Sequence, residues 1–166
     1  MLEPKKLRHR KHHRRRGAFY GKATRGARIA FGSIGLKAQG GGELTARQIE
    51  AARRALTHAA QRVGKIWIRV FPHTPVTKKA AEVPMGAGKG SVEYYALVVK
   101  PGTVLFEVDG LPEDLARRGL TLASHKLPFK TKIVVRMRHG DAAAGKSAKI
   151  ASSDAPSQGP QFAQAA

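Results

Sequence analysis

From Leu44 to Phe71 the chain reads LTARQIEAARRALTHAAQRVGKIWIRVF, and within it the apolar period changes once, from helical to extended. Any fold for this chain must accommodate a capped helix that runs directly into a strand. Thr45 is a good N-cap residue, and Gln48 stands three positions on, the capping-box spacing. At about 100° per residue, Ile49, Ala52, Leu56, Ala59, Ala60 and Val63 share one face. Arg47, Arg54, His58 and Arg62 fall on the other, without interleaved acids to pair with. Gly64 is placed to end the helix, which is expected over 45–63. A strand over 65–71 follows, with Ile66, Ile68 and Val70 on one side and Lys65, Trp67, Arg69 and Phe71 on the other. A charged helix face is ordinarily a solvated one. Here its charge has a single sign, so it is suited to meet something negative.

The whole chain repeats that bias. Its 166 residues hold 31 Lys or Arg against 11 Asp or Glu, a net charge of +20. Such a charge repels itself in a free compact protein, and a polyanion relieves it, nucleic acid being the commonest. A membrane surface is the alternative, but the longest apolar run is Tyr94 to Val99, well short of the roughly 18 residues a spanning helix needs. The chain has no cysteine, which excludes disulfides and zinc ribbons. Neither a secretory signal nor a transit peptide is expected: the basic N-terminus lacks an apolar core, having only Leu2 and Leu7.

Residues 1–20 form a basic arm, with eight Lys or Arg in the first sixteen positions. A block of this kind cannot bury a core. It is either a solvated tail or an arm that orders on RNA or DNA. A metal site at His9, His12 and His13 is disfavoured by the surrounding cations and the lack of a carboxylate or thiolate. Phe19 and Tyr20 close the arm, either to stack on bases or to anchor it.

Residues 21–136 are expected to form one domain. Ile29, Phe31, Ile34 and Leu36 mark one or two short strands, and Gly40-Gly41-Gly42 a flexible turn into the helix. Residues 72–91 form a long loop with a short strand around Val76 and a tip at Met85 to Gly90. The tip is not a P-loop: Val83 fills the first glycine position, Gly90 the Ser/Thr position, and a strand comes next. Val92–Val99 and Val104–Asp109 read as a hairpin about a Lys100-Pro101-Gly102-Thr103 type II turn. Pro112 opens a second helix at its first position, with Leu115, Leu122 and Ala123 inward and Pro128 as its end. Phe129 to Arg136 is a last strand. Residues 137–166, rich in Ala, Ser, Gln, Gly and Pro, read as a disordered extension. No catalytic constellation or cofactor motif is present: Glu107 and Asp109 are assigned to opposite faces of their strand, and an acid/base pair is not expected.

Residues 1–136 resemble the bacterial-type ribosomal large-subunit protein sixteen family. GKIWIRVFP at 64–72 and MGAGKG at 85–90 carry the resemblance, supported by MLEPKKLRHRKHHRRRG at the start, FGSIGLKA at 31–38 and HKLPFKTKIV at 125–134. The resemblance implies an α+β fold, a single domain with an antiparallel β-sheet and two main α-helices, as the residues themselves suggest. It implies a non-enzymatic constituent of the large ribosomal subunit, cytoplasmic rather than organellar, bound to large-subunit rRNA near the peptidyl-transferase centre and the path of A-site tRNA. Its other partners would be tRNA in the A/P region and neighbouring large-subunit proteins, with no cofactor, no metal and no membrane. The residues expected to contact rRNA are Lys5, Lys6, Arg8, Arg10, Lys11, Arg14, Arg15, Arg16, Arg47, Arg54, Lys65, Arg69, Lys78 and Lys79. The loop residues Met85, Gly86, Gly88, Lys89 and Gly90 are expected to face tRNA. Three positions depart from the family pattern: Pro84, Ala87 and Gln61 stand where basic residues are usual. A free-standing nucleic-acid chaperone and, more remotely, a nucleotide-dependent enzyme are the alternative readings.

Overall fold

The computed structural model describes residues 2–14 and 17–136. Arg15, Arg16 and the expected extension over 137–166 lie outside them. The elements run β1 (Ile34–Ala38), β2 (Gly42–Thr45), α1 (Ala46–Ala59), β3 (Lys65–Ile68), β4 (Thr74–Thr77), β5 (Val92–Val99), β6 (Val104–Asp109), α2 (Glu113–Ser124) and β7 (Thr131–Val135). The α+β class and the two helices agree with the sequence reading.

Both halves of the α1 capping box form: Gln48 N–H donates to Thr45 Oγ1 at 3.3 Å, and Thr45 N–H donates to Gln48 Oε1 at 3.0 Å. Ile49, Ala52 and Leu56 are buried as the periodicity requires. The helix nevertheless stops at its cap Ala60, four residues before Gly64. Gln61 and Arg62 take left-handed backbone angles, φ 50° and 63°. Val63 is therefore carried out of the helical face and is 58% exposed. Gly64 serves a different purpose: at φ 74°, a Cβ there would stand 2.6 Å from the Asp109 carbonyl oxygen. It permits the close approach from which β3 pairs with β6.

The strands form two antiparallel sheets where one was expected. The first has the order β3-β6-β1-β7, the second β2-β5-β4. β5 and β6 occupy the expected residues but do not pair, so the hairpin is a corner between sheets. The turn itself forms, with Thr103 N–H donating to the Lys100 carbonyl at 3.2 Å and Gly102 at φ 98°. It docks sideways on the end of β1: Gly102 N–H donates to the Ala38 carbonyl at 2.7 Å, and Ala38 N–H to the Thr103 carbonyl at 2.8 Å. Consecutive strands pair in only about two-thirds of cases, and here both edges of each strand are already occupied. β6, buried from Val104 to Val108, lies between β3 and β1. β5 lies between β2 and β4, whose Pro75 is tolerated because β4 is an edge strand.

The triglycine is likewise a packed corner rather than a flexible turn, and it leads into β2 before the helix. A Cβ on Gly41 would meet the Phe19 carbonyl oxygen at 2.5 Å, and one on Gly42 the Phe129 ring at 3.2 Å. Phe19 is thus an anchor, while Tyr20 beside it is 74% exposed.

Pro112 is the N-cap of α2 rather than its first residue, and the helix ends at Ser124. Its buried side is Ala116, Gly119, Leu120 and Ala123, the i, i+3, i+4, i+7 set, so the inward face is rotated from the expected one and Leu122 is exposed. Gly119 explains the rotation. A Cβ there would stand 3.0 Å from Leu56 Cδ1 and 3.4 Å from Ala59 Cβ, so α1 and α2 meet at this glycine. The core joins Ile49 and Leu56 of α1 and Leu120 of α2 to Leu36 of β1 and Phe106 and Val108 of β6.

Candidate nucleic-acid interface

The exposed sides of α1 and α2 border an open groove of about 680 Å³. Arg47, Glu50, Arg54 and His58 line it from α1, and Leu122, His125 and Lys126 from the end of α2. Cationic or protonatable side chains thus converge from two helices on one trough. The face is not free of acids, as the sequence reading had it. Glu50 bonds Arg53 at 2.7 Å and Arg54 at 3.0 Å. The hydrogen bond from Arg53 leads in lowering its pKa to about 2, against the opposing effect of desolvation and with help from Arg54. Glu50 therefore stays ionised and steadies two arginines; the Arg54 side chain remains 75% exposed.

A second groove, also about 680 Å³, lies between the N-terminal arm and the start of β5, lined by Arg10 and Arg47 against Glu3 and Glu93, with Leu2 and Tyr94 among others. Arg47 borders both, so it joins the helix groove to the arm, whose exposed cations stand beside a second groove of balanced charge. The arm is seated on the domain. Leu2 packs against the core, and Arg14 makes a two-pronged bond to Glu43 of β2, at 3.1 Å through Nε and 2.6 Å through Nη2. This pairing raises the Arg14 pKa, mainly through the hydrogen bond. Lys5, Lys6, Arg8, Arg10, Lys11 and Arg14 are all in exposed positions.

The arm also touches the loop. Lys11 Nζ donates to the Lys89 carbonyl at 2.7 Å, and Lys89 Nζ donates to the His12 carbonyl. The base of the loop is narrow: Lys78 N–H donates to the Ser91 carbonyl at 3.2 Å, and a Cβ on Gly90 would stand 2.8 Å from the Lys78 carbonyl oxygen. Lys78 faces Glu93 at 3.8 Å, and Lys79 Nζ donates to the Gly86 carbonyl. At the tip, Gly86, Ala87 and Gly88 have φ of 116°, 49° and 87°. Met85 is 96% exposed, and Cβ atoms on Gly86 or Gly88 would meet nothing within 4 Å. The tip is thus a projecting segment with little side-chain bulk.

Lys65 and Arg69 line neither groove. They lie on the outer side of the first sheet, where the sequence reading missed the chain's principal buried charge. Glu107 of β6 is fully buried. It accepts hydrogen bonds from three successive backbone N–H groups, Ala30 at 3.2 Å, Phe31 at 2.6 Å and Gly32 at 2.9 Å, and pairs with Arg69. Burial alone would raise its pKa; the bonds from Gly32, Phe31 and Ala30, with the Arg69 charge, outweigh that and hold it below the ordinary carboxylate range. Arg69, only 20% exposed in its side chain, thus shares its charge with Glu107 and holds the fold there. Glu107 and Asp109 also share a side of β6, opposite Trp67 and Lys65, and are not on opposite faces. Burial separates them, since Asp109 is exposed. The signal for Glu107 was an acid in the middle of an otherwise apolar strand.

Among the described residues no group of three or more His, Cys, Asp or Glu is placed to hold a metal, and no helix is long and apolar enough to cross a membrane.

The sequence profile of the family described as ribosomal protein L16p/L10e matches residues 4–134. A large ribosomal subunit protein uL16 from Afipia carboxidovorans is 56% identical over 137 residues, 82% of this chain and 98% of that protein. The proteins of the same name from Psychrobacter arcticus and Psychrobacter cryohalolentis are each 57% identical over 136 residues, with the same coverage.

Proposed function

From the premise that this chain belongs to the ribosomal protein L16p/L10e family, a structural family of the large ribosomal subunit and not an enzyme, we propose that it binds large-subunit rRNA through the surface on which Arg47 joins the α1/α2 groove to the basic N-terminal arm. As in its bacterial-type relatives, its place is the cytoplasmic ribosome, among other large-subunit proteins. The observation that carries the reading is Arg47, which borders both grooves and so makes one surface of helix and arm. Arg10, Arg47, Arg54 and Lys126 then meet successive phosphates of a folded RNA. Such contacts supply affinity and register, while the RNA is recognised by shape more than by base edges. Lys5, Lys6, Arg8, Lys11, Arg15, Arg16, Lys65, Lys78 and Lys79 are proposed to extend the contact, Arg14 sharing its charge with Glu43.

On this reading the loop tip, Met85 to Gly90, projects toward tRNA near the peptidyl-transferase centre and the A-site path, and the protein supports both subunit assembly and tRNA positioning. Lys89, seated on the arm, is the cation the tip brings.

The test is gradient sedimentation of a lysate carrying the tagged chain, before and after a high-salt wash, beside the double variant Arg47→Gln/Arg54→Gln. The parent is expected to travel with the large subunit and stay there in salt. With purified rRNA, the variant is expected to lose about one unit of salt slope per phosphate contact removed. A parent that washes off as any polycation would is a free nucleic-acid-binding protein. An unchanged slope in the variant removes the groove from the interface.

A further inference from the structure

The outer side of the first sheet carries, beside Lys65, a feature that neither groove uses. Lys65 Nζ lies 5.3 Å from the centre of the Trp67 ring. The Trp67 and Phe31 rings stack, 6.1 Å apart and 19° from parallel, and Arg69 Cζ lies 4.8 Å from the centre of the Phe31 ring. Cation, ring, ring and cation thus form one row. Phe31 remains 57% exposed and Lys65 is exposed beside Trp67.

That exposure is not slack in a loose loop. Phe31 N–H donates to Glu107 Oε2 at 2.6 Å, between like bonds from Ala30 and Gly32. A Cβ on Gly32 would meet the Val108 carbonyl oxygen at 2.6 Å, so the segment is pressed against β6. The backbone is therefore held with the ring outward. Arg25 and Arg28, both exposed, lead into it.

We infer that Phe31 and Trp67 form a stacking platform for an unpaired RNA base, the exposed Lys65 yielding the Trp67 face to the base and turning to a flanking phosphate. The inference rests on the RNA-binding reading above but concerns a surface outside both grooves, where Lys65 alone is shared with it. Only an unpaired base offers a free π-face; bases within a duplex are covered on both sides. The flanking cations favour a nucleic-acid strand over an apolar protein segment.

Trp67 is the only tryptophan in the chain, so its emission reports on the site directly. The experiment titrates the full-length protein with a single-stranded oligoadenylate and, separately, with an RNA hairpin of equal length, following Trp67 emission and filter binding together. Oligoadenylate is expected to quench Trp67 and the hairpin stem to leave it unchanged. Phe31→Leu should weaken oligoadenylate binding by about tenfold, while Phe31→Tyr, which keeps the ring, should restore it. Urea unfolding of both variants checks that they are folded. Equal oligoadenylate affinity in parent and Phe31→Leu, with salt-sensitive hairpin binding intact, would overturn the platform and leave the RNA-binding reading standing. A Trp67 response to large-subunit proteins but not to RNA would overturn it in favour of a protein contact. Absence of binding to either RNA would overturn both.

Discussion

Replacing Glu107 by Gln tests the most consequential charge in the structure. The carboxylate is fully buried and answers four donors: three backbone N–H groups and Arg69. The amide is nearly isosteric, so packing is preserved. Its single oxygen cannot serve all four donors, however, and its NH₂ group must face N–H groups or the guanidinium. Breaking a buried ion pair by removing one partner costs about 3–5 kcal/mol, and a hydrogen bond to a charged group contributes about 1.5–3 kcal/mol. Arg69 retains 20% exposure and can recover some hydration, which places the expected loss near the lower end, about 3 kcal/mol. In a domain of this size that lowers Tm by about 10 °C.

The assay is urea unfolding of parent and Glu107→Gln, followed by Trp67 emission and repeated from pH 7 down to pH 3. The sign follows from the depressed pKa of the folded carboxyl. Its contribution is complete above the unfolded value, about 4.3, and is lost as pH falls from there through the folded value. The gap between parent and variant should therefore be constant at neutral pH and narrow below about pH 4. Other carboxylates titrate in both proteins and largely cancel in the difference. A variant within about 0.5 kcal/mol of the parent at pH 7, or a gap that ignores pH, would refute the reasoning, because either outcome means that the carboxylate charge is not what holds the 30–32 segment to β6.

Two further perturbations address the helices. Thr45→Ala removes the acceptor for the Gln48 N–H and should cost about 1 kcal/mol in urea unfolding; no loss would mean that the cap is replaced by water. Gly119→Val forces side-chain atoms against Leu56 and Ala59 and should cost about 2 kcal/mol or more, with α1 and α2 displaced from one another in the variant's crystal structure. A neutral result would show that the helices part without strain.

What sequence alone determined is local or global, with little between. The Thr45–Gln48 box needs only neighbours three residues apart, and it forms as spelled. The alternation of Ile66, Ile68 and Val70 against Lys65, Trp67 and Arg69 is a property of the extended chain and survives any sheet arrangement. The bounds of β5 and β6 were legible because Pro101 and Gly102 interrupt two apolar runs. A charge of +20 in 166 residues pointed to a polyanion whatever the fold. Tertiary structure decided the rest, because each remaining question turns on partners distant in the chain. β5 and β6 part company because β1 and β3 hold both edges of one and β2 and β4 both edges of the other. The inward face of α2 is set by Gly119 meeting Leu56, so Leu122, apolar as it is, faces the groove. Arg69 reads as a free cation until Glu107, 38 residues on, is found beneath it. The convergence of Arg47 with Lys126 and with Arg10 likewise exists only once two helices and an arm are brought together, since like charges are gathered by the packing of the apolar faces behind them.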